Sequence, residues 1–274
     1  MNQFKILLVR ALFYLMRMIP VRLAGALGAG LGQLAYVLDG RHRSITMRNI
    51  TRVYPDKPRV WRTRIARESF AELGRTIFEI PHVFMRSRSF LNSRVRVDGE
   101  ETLKSALAKG KGAIIVACHH GNWELGALML SLLGHPSELF YRPLRQASFE
   151  AVIKAQRQRF GAQLHARQES LRWLPKALKN NACVGILVDQ HIGAGMAVPF
   201  LGHLANTLTL PAAMALKYQV PVFGVALYRT GHDFRFRLHL WPIEPSESAA
   251  PGSDAVFAFS HCISRSFTPV IDQR

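Results

Sequence analysis

The sequence predicts an α/β fold: a mainly parallel sheet flanked by helices, with an apolar, amphipathic helix ahead of it. Residues 112–118 (GAIIVAC) form a short continuous apolar run of the kind buried on both faces of a parallel sheet, and Leu125, Leu128, Met129, Leu132 and Leu133 follow at helical spacing. That alternation then repeats along the chain, which implies crossover units. The segment 4–19 is almost wholly apolar but is interrupted by Lys5, Arg10 and Arg17.

That segment has an uncharged run far short of the roughly 20 residues needed to span a bilayer. At 100° per residue Arg10 and Arg17 fall within about 20° of each other, leaving a broad Leu, Phe, Tyr and Met face opposite. This reads as an anchor lying in the membrane surface. A second apolar stretch, 23–38, is rich in Gly and Ala, which suits close helix packing on the first helix or on the domain, or contact with lipid. Arginines inside the apolar run argue against a cleaved signal. Residues 1–40 are therefore read as membrane-associating helices and 41–274 as one catalytic domain.

Between Pro58 and Pro81 the apolar positions Trp61, Ile65, Phe70, Leu73, Ile77 and Ile80 recur at helical spacing, so a helix bracketed by the two prolines is expected. Beyond 112–118, strands are expected at 138–141, 183–188, 220–228 and 234–241, with helices at 149–160, 171–179 and 210–218. Residues 246–253 (SESAAPGS) read as a flexible surface loop.

Lys and Arg number 36 against 18 Asp and Glu, a formal net charge of +18 that draws the chain toward polyanions. No nucleic-acid docking module accompanies the charge. The basic residues cluster between Arg41 and Arg96, directly after the apolar segment, an order that suits anionic headgroups at a membrane surface. Cys118, Cys183 and Cys262 have no paired spacing, which excludes a disulfide framework and fits a cytoplasmic setting.

The strand 112–118 runs straight into HHGNWE, at the carboxyl end of a strand, where ligands sit in such sheets. Asn122 is a natural helix N-cap, and Glu124 falls in the first turn, where the helix dipole favours a carboxylate. On one continuous helix His119 and Glu124 would diverge by about 140°. With His119 on the loop before the cap, the imidazole can fold back over the first turn, giving a general-base dyad. No Ser or Cys stands on a nucleophile elbow, and Cys118 closes a buried strand, so the nucleophile is sought on the substrate, as an alcohol. His119, His120 and Glu124 do not reproduce the i, i+4 histidine pair of zinc peptidases, and no metal is expected. Packing or loop-fixing roles are the plain alternatives for Trp123 and His120.

MRNITRVYPD, SFAELGRTIFE, HHGNWELGA, YRPL and DQHIGAGMAVPFLGHLANT, in this order along the chain, resemble the blocks of the bacterial lipid A late acyltransferases. These belong to the wider lysophospholipid acyltransferase group, marked by a His, four residues, then Asp or Glu. The resemblance implies a glycerophosphate-acyltransferase-like fold at the cytoplasmic side of the inner membrane. It implies no cofactor, an acyl donor carried as a thioester on acyl carrier protein or coenzyme A, and a membrane lipid, an anionic glycolipid, as acceptor. His119 and Glu124 carry over as the catalytic pair. Arg142 carries over as a phosphate or oxyanion ligand, helped by amides near Gly121 and Asn122, and Asp189 as a residue orienting substrate or its neighbours. Gly193, Gly195 and Gly202 are read as turn residues and Thr207 as an N-cap. The chain departs from the family pattern at His191, where members often carry an acid, and at its FTPVIDQR ending, where a Trp-, His- and Arg-rich segment is usual. A lyso-ornithine or phospholipid acyltransferase, an acyl hydrolase using water, and a non-enzymatic basic membrane adaptor stand as alternatives.

Overall fold

The computed structural model describes residues 2–190, 193, 195–231, 233–245 and 255–272, so His191 and the expected loop at 246–253 lie outside the described residues. The chain divides into two units, residues 1–91 with 229–235, and residues 92–228 with 236–274.

The first unit holds α1 (Asn2–Met18), α2 (Val21–Leu38), α3 (Gly40–Val53) and α4 (Arg59–Met85), with α5 (Arg88–Asn92) at its border. The helical unit thus extends well past residue 40. On α1 only a narrow edge around Val9 and Phe13 is buried, while Phe4, Leu7, Leu8, Leu12, Tyr14, Leu15 and Met18 are exposed. The broad apolar face predicted opposite the arginines is therefore the one turned away from the protein. Helix α2 is two-sided. Gly25, Gly28 and Gly32 are buried on one side, and a Cβ on Gly28 would overlap the carbonyl of Gly74, as one on Gly32 would overlap that of Phe70. These glycines let α2 and α4 backbones touch, as small residues do in helix pairs. The opposite side exposes Leu23, Leu27, Leu31 and Leu34. By length and composition Val21–Leu38, with mean hydropathy 1.3, is apolar enough to cross a membrane.

Helix α4 does not stop at Pro81 but runs through it to Met85. Proline removes the N–H that would bond four residues back and its ring crowds that carbonyl, and the buried Val83 and Phe84 beyond it hold the last turn by packing. Within the same unit Arg229 donates to both oxygens of buried Glu79 (2.8 and 2.8 Å) and to Glu72 (2.9 Å).

The second unit is the α/β part. Its strands are β1 (Val95–Asp98), β2 (Ala113–Ala117), β3 (Ser137–Tyr141), β4 (Gln163–Ala166), β5 (Cys183–Leu187), β6 (Met196–Phe200), β7 (His203–Thr207), β8 (Val222–Arg229) and β9 (Phe236–Ile243). Its helices are α6 (Glu100–Leu107), α7 (Trp123–Leu132), α8 (Ala147–Gln158), α9 (Trp173–Lys179), α10 (Leu210–Tyr218), α11 (Ala255–Ser266) and α12 (Thr268–Asp272).

Seven strands form one sheet in the order β1-β9-β8-β2-β5-β3-β4, and β6 with β7 forms a separate antiparallel hairpin. The pairs β1/β9, β2/β8, β2/β5, β3/β5 and β3/β4 are all parallel. Ile114, Val116, Val184, Ile186 and Val222 pack one sheet face against Leu174 and Leu178 of α9, Ala212 and Ala215 of α10, and Phe259 and Ile263 of α11. The mainly parallel sheet and its covering helices match the expectation. The short β1, β4, β6 and β7 had no clear sequence signature. At the β6–β7 turn Leu201 and Gly202 both have positive φ (49° and 78°), so Gly202 serves as a turn residue. Thr207 is not an N-cap: it ends β7 and donates to the Ala205 carbonyl, and Thr209 occupies the cap position of α10.

Candidate active site

Strands β2 and β5 are parallel neighbours whose last register pair is Ala117 with Leu187. The pairing extends one step further, where the Val188 N–H donates to the Ala117 carbonyl at 3.0 Å. Two residues beyond that register pair, each strand delivers a functional side chain to the same edge: His119 from β2 and Asp189 from β5. Asp189 grips His119 twice. Oδ2 accepts the His119 backbone N–H at 2.9 Å and Oδ1 lies 2.8 Å from Nδ1 of the ring.

An ionised carboxylate can only accept, so this contact places the imidazole proton on Nδ1 and leaves Nε2 as the basic nitrogen. Burial raises the Asp189 carboxyl, but the hydrogen bonds and charge of His119 outweigh it and hold Asp189 below the ordinary carboxylate range. Both side chains keep about a quarter of their surface exposed (26% and 25%), so the site is open to a ligand. Trp123 packs edge-on against the His119 ring at 5.4 Å between centroids. The Gln190 amide nitrogen lies 3.3 Å from Nε2.

The loop after His119 is built to turn sharply. His120 is fixed through its backbone N–H on Cys118 (2.8 Å) and its ring Nδ1 on the Leu227 carbonyl (3.2 Å), with Tyr228 edge-on at 5.2 Å. It is a loop-fixing residue. Gly121 takes φ +56°, a left-handed conformation that suits glycine. Buried Asn122 then caps α7 by accepting the Leu125 N–H at 3.1 Å.

Glu124, buried in the first turn of α7, does not turn to His119. Both its oxygens are taken by Arg157 of α8, at 2.9 Å from Nε and 2.5 Å from Nη2. The carboxylate on the imidazole is therefore Asp189, seventy positions away, and the expected His119–Glu124 contact is replaced by two separate pairs. The physical reason is the cap. With α7 starting at Trp123, the Glu124 side chain is committed to the helix face packed on α8, while His119 stays on the sheet edge. Burial lowers Arg157, but Glu124 outweighs it and raises the guanidinium above its usual value.

Arg142 is exposed, one residue beyond β3, at the same carboxyl edge of the sheet. Asp189, His119, Gly121, Asn122 and Arg142 thus all lie at that edge, and Glu124 just inside it. Arg157 and its partnership escaped the sequence reading, because a charged residue on a half-exposed helix carries no local mark of its distant partner. Among the described residues no three His, Cys, Asp or Glu side chains group as a metal site.

A family model described as bacterial lipid A biosynthesis acyltransferase matches residues 1–263. The chain is 24% identical over 248 residues to the lipid A biosynthesis acyltransferase of Haemophilus influenzae, covering 87% of this chain and 76% of that protein. It is 28% identical over 167 residues to the lipid A biosynthesis palmitoleoyltransferase of Escherichia coli, covering 61% and 54%. It is also 22% identical over 177 residues to the phosphatidylinositol mannoside acyltransferase of Mycobacterium tuberculosis, covering 63% and 56%. The chain spans little more than half the length of these last two relatives.

Proposed function

Because the chain belongs to the bacterial lipid A biosynthesis acyltransferase family, we propose that it moves a fatty acyl group from an acyl carrier protein thioester to a hydroxyl of a lipid A precursor or a related membrane glycolipid. The observation that carries this reading is the His119–Asp189 pair at the carboxyl edge of β2 and β5, with Nε2 left as the base.

In this reading Nε2 of His119 takes the proton of the acceptor hydroxyl as its oxygen attacks the thioester carbonyl carbon. The imidazolium that forms is stabilised by Asp189 across the ring. The negative charge that develops on the carbonyl oxygen is met by Arg142 or by amides near Gly121 and Asn122. The C–S bond then breaks, the ester forms, and the proton on Nε2 passes to the departing thiolate. Glu124 acts by holding Arg157, and through it the first turn of α7 beside the base.

The donor is assigned to acyl carrier protein because a net charge of +18 favours an acidic carrier. The exposed leucine faces of α1 and α2 are assigned to the cytoplasmic leaflet of the inner membrane, where an insoluble acceptor is presented in the plane of the lipid. The test is turnover of wild type and His119→Ala with membranes, carrier-protein thioesters of several chain lengths and a panel of acceptor lipids, read by mass spectrometry. A new acyl-lipid mass that vanishes in the variant supports the reading. Free fatty acid without acyl-lipid means a hydrolase, and turnover unchanged by His119→Ala removes the assigned base.

A further inference from the structure

Helix α8 carries a second grip on the site besides Arg157. Glu150, in its first turn, uses one carboxylate oxygen on the last residue of β3 and the other on the loop that follows it. Oε1 accepts the Tyr141 phenol at 2.8 Å, and Oε2 accepts the Leu144 backbone N–H at 2.8 Å. Only Arg142 and Pro143 lie between those two anchors. Pro143 fixes its own φ and confines the residue before it to extended backbone, so the Arg142 backbone is restricted from both sides.

Burial and the Glu150 carboxylate push the Tyr141 phenol up to about 12, so it remains a donor throughout the neutral range. Seven residues along α8, on the same helix face, Arg157 holds Glu124 and lies 6.0 Å from the Tyr141 ring centroid. One face of α8 therefore anchors both the start of α7 and the end of β3.

We propose that Glu150 is a positioning residue for Arg142: by clasping Tyr141 and Leu144 it holds the arginine-bearing loop at the carboxyl edge of the sheet. The inference rests on the reading of Arg142 as the ligand for acceptor phosphate or oxyanion. A clasp of this kind acts on the reaction only through the group it positions, which separates it from a residue that merely stabilises the fold.

The experiment compares Arg142→Ala, Glu150→Ala, Glu150→Gln, Tyr141→Phe and the Arg142→Ala/Glu150→Ala double variant of the full chain in the transfer assay. Amide exchange of Leu144 is followed alongside, since it needs no turnover. Glu150→Ala is expected to lower turnover by roughly ten- to a hundredfold, the scale of a misplaced positioning group. Its division between kcat and KM should copy that of Arg142→Ala, and the double variant should be no worse than Arg142→Ala alone. Glu150→Gln keeps an acceptor oxygen, and Tyr141→Phe keeps the Leu144 anchor, so both should fall between. The Leu144 amide should lose protection in Glu150→Ala. Additive losses in the double variant, or unchanged exchange at Leu144, overturn the inference. Wild-type turnover in Arg142→Ala beside an inactive His119→Ala overturns it while leaving the transfer reaction standing. If His119→Ala itself stays active, the functional reading falls, and the exchange result alone decides whether Glu150 holds the loop.

Discussion

Nδ1 of His119 lies 2.8 Å from Oδ1 of Asp189, across seventy residues of sequence, because β2 and β5 are adjacent and end in register. The same carboxylate also holds the His119 backbone, so ring and main chain are oriented by one group. A carboxylate that fixes the tautomer this way makes its own charge part of the base.

Asp189→Asn should therefore keep the shape of the site and lose most of its turnover. The amide of asparagine can offer its N–H to Nδ1 and turn the imidazole to the wrong tautomer. A drop of about a hundredfold or more in kcat is expected, the range assigned to a working general base. Steady-state kinetics with matched circular dichroism checks it, and near-normal kcat would mean that Asp189 only packs.

The same pair sets an acid dependence of stability. Asp189 is held below its ordinary value of 3.8, so its ionised form contributes stability that is full above that value and is lost as pH falls through the lower folded-state value. The gap in urea midpoint between wild type and Asp189→Asn should be wide near neutrality and begin to narrow only as pH falls below about 4. A gap of the same width at every pH, with no narrowing on the acid side, would assign the difference to packing instead of charge.

Glu124 and Arg157 form a pair in which the glutamate side chain is only 7% exposed and the arginine 18%. Arg157→Ala leaves a buried carboxylate without its cation and should cost about 3 to 5 kcal/mol in chemical denaturation. Replacing both by apolar residues, as in Glu124→Leu/Arg157→Met, should restore much of that stability without restoring turnover. If the double variant recovers activity as well, the pair is scaffolding alone.

Gly74 meets Gly28 so closely that a Cβ on either would overlap the other's carbonyl. Gly74→Ala should force α2 and α4 apart and destabilise the helical unit by about 1 to 3 kcal/mol. Thermal unfolding in detergent measures it, and an unshifted transition would show that the helices part without cost.

The exposed leucines of α2 should bind membranes by insertion. Wild type is expected to sediment with vesicles containing anionic lipid and to stay bound through a high-salt wash, while Leu27→Glu/Leu31→Glu is released. Release of wild type by salt would instead mark a purely electrostatic adaptor, since such contacts are screened.

What could be read from the chain followed from local order. The run AIIVA is apolar at every position, HHGNWE follows it directly, and Asn122 sits where a cap must be, so the strand, the turn and the helix start were all legible. The α2 glycines announced a close packing surface but not its partner, which is α4. Short β1 and β4 carry too few residues for a pattern. Pro81 reads as a stop in sequence yet lies inside a helix whose last turn is held by buried Val83 and Phe84.

The sequence by itself determined that a histidine stands at the carboxyl end of a buried parallel strand, with a capped helix and a first-turn glutamate behind it. Only the tertiary structure decided which carboxylate the histidine meets. Strand order places β5 beside β2 and so delivers Asp189 to the imidazole, while packing of α8 on α7 claims Glu124 for Arg157. Hydrogen bonds act over about 3 Å of space, whatever the separation along the chain. The partners of His119, Glu124 and Glu150 were therefore set by the sheet order and the helix packing, which no local spacing encodes.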